Sequence, residues 1–159
     1  MNIDQVMQAW RGTKCNVATD LEPQLDVELV DGSRHMAVVP DRDYIVPTVE
    51  RVCREAGDLP VLAVAFMADA FIREIPAEDA AGYERGDISR AFGRGDKAVS
   101  EVLIVTVIDR DGLHLVQQPY ASTSTGIPMF KSARVTRAHG DGVQGAAADE
   151  LRRAMMRFG

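Results

Sequence analysis

The 159 residues carry 18 Lys and Arg against 24 Asp and Glu, a formal net charge of −6, with 46% hydrophobic and 26% charged residues. That balance supplies a core for one domain and excludes a disordered chain. No apolar run reaches the ~18 residues of a membrane span, and the acidic balance argues against the broad positive footprint that nucleic-acid binding needs.

Ile3, Val6, Met7 and Trp10 recur at helical spacing, so a helix is expected from Asn2, its N-cap, to a stop at Gly12. Leu25, Val27 and Leu29 alternate with Asp26 and Glu28, and Asp31-Gly32 suits a two-residue type I′ turn into a return strand over Arg34 to Val39. Pro47 fits the start of a helix running to about Ala56, with Gly57 as its terminator. The most apolar stretch, Pro60 to Ile75, is β-branched and aromatic between two prolines. It reads as a long central strand, with a helix as the alternative because of its alanines.

Residues 77–98 form a long polar, Gly-rich loop, with a short helix expected over Ile88–Phe92. Long loops in compact domains tend to carry function or motion. Val99 to Ile108 reads as a second strong strand, turned by Asp109-Arg110-Asp111-Gly112 into a partner over Leu113 to Tyr120. Met129 to Val135 is expected to add one more strand. Glycines at 140, 142 and 145 make residues 138–145 a flexible joint before a C-terminal helix over 146–158. The chain therefore reads as a single α+β domain, with a largely antiparallel sheet of five to six strands and N-terminal, middle and C-terminal helices packed on it. The sheet would be mixed if the segments around the middle helix form a parallel crossover.

Candidate chemistry is sparse. No phosphate-binding glycine loop, metalloprotease helix, nucleophile elbow or CxxC pair is present. His35, His114 and His139 lack ligand spacing, so neither a metal site nor a cofactor is expected. Asp69 and Glu101 lie on the two most apolar strands. Converging carboxylates there would bind a divalent cation or act as an acid–base pair; alternatively Asp69 pairs with Arg73 or another arginine and Glu101 faces water. Arg85, Arg90, Arg94 and Lys97 make the long loop locally basic, a candidate anion or partner contact beside the plainer reading of solvated charge. Leu151, Met155 and Phe158 share one face of the last helix, which either fills this domain's own core or packs on a partner.

The segments "VLAVAFMADAF" over Val61–Phe71 and "KAVSEVLIVTVIDRDG" over Lys97–Gly112 resemble small uncharacterised proteins of actinobacteria and their phages. In these an apolar strand ending in an acidic–aromatic step precedes a loop, a strand and a D-x-D-G turn. The resemblance covers about a third of the chain and implies a microbial source, with no activity attached. The opening residues hold Asp4 and no basic-then-apolar block, so a cytoplasmic address is expected, with Cys15 and Cys53 as unpaired thiols. The leading expectation is a non-catalytic interaction or regulatory module with a protein partner or a second copy of itself. A small metal-assisted hydrolase using Asp69 and Glu101 is the alternative, and the signals lean away from an enzyme.

Overall fold

A computed structural model describes residues 1–17, 19–84, 86–131 and 135–159. Four α-helices and seven β-strands follow in the order α1 (Ile3–Cys15), β1 (Gln24–Leu29), β2 (Arg34–Val38), α2 (Ile45–Glu55), β3 (Val61–Ile72), α3 (Asp87–Gly93), β4 (Ser100–Asp109), β5 (Gly112–Ala121), β6 (Met129–Phe130), β7 (Thr136–His139) and α4 (Ala146–Phe158). Every pairing is antiparallel, in the order β2-β1-β3-β4-β5-β6, and β7 joins β5 alongside β6. The α+β fold stands, with one strand more than expected.

The side-chain alternation of β3 and β4 divides the core between the two faces of the sheet. Val64, Phe66 and Ile108 face α2 and α4, whose Ile45, Val49, Val52, Leu151 and Ala154 close one apolar cluster. Ala65, Met67, Leu103, Val105 and Val107 face the other way, under Val6, Met7 and Trp10 of α1. Each of these large side chains, once buried, contributes about 1.5–3 kcal/mol. Asn2 caps α1 as expected, its side chain accepting from the N–H groups of Asp4 and Gln5. The helix does not stop at Gly12. It runs one turn further, to Cys15, because Lys14 in that turn is drawn into a buried contact described below.

The β1–β2 connection differs from the expected two-residue turn. Glu28 pairs with Arg34, Gly32 N–H donates to the Leu29 carbonyl, and Leu29 N–H donates to the Ser33 carbonyl. Only Gly32 of this loop takes a positive φ, 85°, whereas a type I′ turn needs two such residues. β2 and β3 both run antiparallel to β1 and flank it, so they share a direction without being hydrogen-bonded to each other. The α2 crossover joins them over β1, which resolves the mixed-sheet alternative: the directions are parallel, the ladder is not.

In the stretch 77–98, α3 lies where a short helix was expected, and a 3₁₀ segment over Ala77–Gly82 adds order that was not. α3 is fastened by Phe92 stacked on Phe71, ring centroids 4.5 Å apart. Residues 138–145 are likewise more ordered than a free joint: β7 extends through His139 and a 3₁₀ turn spans Gly140–Gly142. Val143, after that turn, is buried in the α2/α4 core. Leu151 is fully buried there too, with Met155 and Phe158 packed against the same cluster. Of the two readings of this face, own core or partner, the packing follows the first, since Leu151, Met155 and Phe158 lie against this chain's own sheet and α2.

Candidate functional site

The polar centre of the molecule lies at the C-terminal end of α1, on the sheet face that α1 covers. Asp69 sits on β3 two residues beyond Met67, hence on the same face, and its side chain is 2% exposed. Lys14 comes from the last turn of α1, its side chain 5% exposed, and Nζ donates to Asp69 Oδ2 at 2.8 Å. Leu21 N–H donates to the same oxygen at 3.1 Å. The Tyr120 hydroxyl on β5 donates to Oδ1 at 2.5 Å. Lys14 also donates to the Thr19 carbonyl at 3.0 Å and lies 5.1 Å from the Tyr120 ring centroid.

A buried carboxylate must be compensated by charge and hydrogen bonds. Here one ammonium, one phenol and one backbone amide do so. Burial foremost, then the hydrogen bond to Asp69, pushes the Tyr120 hydroxyl far above its ordinary value, so it stays protonated and donating. Asp20, in the connection that passes over this group, is also raised, first by burial and then by the negative charge of Asp69, against a smaller opposing pull from Lys14.

Asp69 therefore pairs with Lys14; Arg73, the partner named from sequence, bonds Asp96 at 2.9 Å instead. The reason lies in α1, whose extra turn carries a cation to Asp69. Glu101 shares the face of Asp69. It pairs in register with Phe71 and Tyr120, while Asp69 pairs with Leu103, so the two acids are diagonal neighbours on adjacent strands, about 7–8 Å apart by sheet geometry. Both are already engaged, for Glu101 accepts from the N–H and hydroxyl of Ser122. Among the described residues no group of three or more His, Cys, Asp and Glu is arranged to hold a metal ion.

Among the described residues the basic candidates do not assemble. Arg90 pairs with Asp87 one turn back on α3, and Arg94 and Lys97 are exposed. Arg85 lies outside the described residues. Asp87 is held below the usual carboxylate range, first by the Glu84 N–H and then by Arg90. Cys53 is a buried free thiol, pushed up by burial, and Cys15 is an exposed one.

Residue-by-residue reading of the sequence missed the sheet margin at β2. Val39 N–H donates to the Pro23 carbonyl and Leu29 N–H to the Ser33 carbonyl. Odd-numbered β2 residues thus face β1, and strand alternation turns the N–H and C=O groups of Arg34, Met36 and Val38 toward the free edge. The side chains of the same three residues are exposed, Met36 by 63% and Val38 by 58%. Arg34 is tied to the buried Asp26, which raises its guanidinium further. Pro40 just after the strand was the available signal, since proline belongs at sheet edges. No protein-family model, curated protein or solved structure matches this chain.

Proposed function

We propose that the chain is a non-catalytic protein-interaction or regulatory module of a bacterium or phage, acting in the cytoplasm by adding a partner's strand to the free edge of β2. One observation carries the reading: the residues with outward backbone groups, Arg34, Met36 and Val38, are the residues whose side chains stand in solvent. Open edges template strand pairing, and proteins guard them with short strands, lysines or prolines. Here Arg34 and Pro40 flank the edge, but between them it presents an exposed methionine and valine, and Val30 before it is 40% exposed as well. Strand addition would take affinity from the main-chain ladder and selectivity from the Met36 and Val38 side chains. No described helix is long and apolar enough to cross a membrane.

The metal-assisted hydrolase gains no comparable support, because Asp69 and Glu101 already have protein donors. The test is to compare proteins retained by the tagged wild type and by a Met36→Lys/Val38→Lys variant, at physiological salt. A species held by the wild type and lost by the variant, at equal melting temperature, supports the reading. Identical retention by both, or none by either, defeats it.

A further inference from the structure

A concavity lies on the α1 face of the sheet, on β5 and β7 rather than on β2, with Arg11 one helical turn before Lys14. It is a cleft of about 300 Å³ between the outer flank of α1 and the β5–β7 pair, a size at the lower end of small-ligand sites. Asp4, Gln8 and Arg11 follow at i, i+4 and i+7 along α1 and form its wall. Val116, Gln118 and Arg137 form its floor, Arg137 standing beside Val116 in register.

The charges of this cleft do not balance. Arg137 is offset by Asp4, at 2.9 Å. Arg11 is half-buried, and among the described residues it has no carboxylate partner. Its contacts are a long bond of 3.4 Å from Nη1 to Gln118 Oε1 and the face of Phe130, whose centroid is 6.0 Å away. Gln118 is 1% exposed, and its Nε2 is committed to the Pro119 carbonyl at 3.1 Å. A guanidinium offers five donors in a planar fork that matches two oxygens of a carboxylate or phosphate. On a chain of net charge −6, a half-buried arginine in a polar cleft with most of that fork unspent is arranged for an anion.

We infer that this cleft binds the oxyanion group of a small ligand, a phosphate or a carboxylate, with the Arg11 fork taking two of its oxygens and Gln118 holding the guanidinium in place. The inference does not depend on the β2 edge, and the experiment below leaves β2 untouched.

The full chain is melted in sodium phosphate, in sodium succinate and in sodium chloride at equal ionic strength and pH. An oxyanion at ten times its dissociation constant is expected to raise the midpoint by roughly 3–6 °C over chloride. A rise with phosphate alone identifies a phosphate ligand, and a rise with succinate alone a carboxylate. Arg11→Gln is expected to abolish the rise. Gln8→Glu, an exposed position one turn before Arg11, supplies an internal carboxylate and is expected to abolish it too, while Arg153→Gln on α4 retains it. Absence of any rise in the wild type overturns the inference. So does a full rise in whichever of Arg11→Gln and Gln8→Glu still melts cooperatively.

Discussion

Asp69 is the residue on which catalysis and architecture make opposite demands. A catalytic or metal-binding carboxylate is retained at a cost, so its removal tends to be neutral or stabilising. A carboxylate compensated on three sides is the reverse. Asp69→Asn leaves Lys14 charged, buried and short of its partner, and is expected to destabilise the fold by about 3–5 kcal/mol in denaturant titration, as breaking buried ion pairs does. Mn²⁺ is expected to leave the midpoints of both proteins unchanged; a Mn²⁺-dependent rise lost in Asp69→Asn would restore the hydrolase reading. Tyr120 adds a pH signature. Its folded-state value is raised above the ordinary 10.0, so the folded protein holds a proton that the unfolded chain releases above that pH. The stabilisation from this group is complete below pH 10.0 and falls as the solution becomes more alkaline. Equilibrium unfolding of wild type and Tyr120→Phe between pH 9 and 11 (about the ordinary tyrosine range) is expected to show the steeper alkaline loss in the wild type.

At the scale of elements, α4 distinguishes a helix that serves the core from one that serves a partner. Leu151 is fully buried between α2 and the sheet, whereas Met156, five positions on, is 86% exposed. Leu151→Ala is expected to cost about 2–5 kcal/mol, while Met156→Ala stays within about 0.5 kcal/mol; equal effects would contradict the packing. Most of these elements were legible in the sequence because period and punctuation agreed. The run from Val61 to Ile72 is flanked by prolines, Asp109 to Gly112 turns one hairpin, and the stripe ending at Phe158 has helical spacing. What was hidden depended on partners distant in the chain. The last turn of α1 lies beyond a glycine that normally ends helices, and it is held by a contact from Lys14 to a residue 55 positions away. β7 is a four-residue strand, Thr136–His139, with three exposed polar or charged positions, recognisable only through its register with β5. The candidate site was half-legible for the same reason. Asp69 stood out as a charge inside an apolar strand, but its companions Lys14, Leu21 and Tyr120 come from three other parts of the chain.

Across the whole molecule, the two margins of the sheet are unequal. On one side β2 offers five continuous residues, Arg34–Val38, with Pro40 just beyond them. On the other, β6 has two residues and β7 four, and they meet β5 at separate stretches, Tyr120–Ala121 and His114–Gln117. Among the described residues, β2 is the margin that offers five unbroken positions; residues 132–134, between β6 and β7, lie outside them. On the proposed reading, a second copy joined β2 to β2 uses the same edge of both chains, and a foreign strand gives a one-to-one complex. Pairing of an edge with its own copy is self-complementary, so it closes into a pair and leaves no second β2 edge from which a filament would grow.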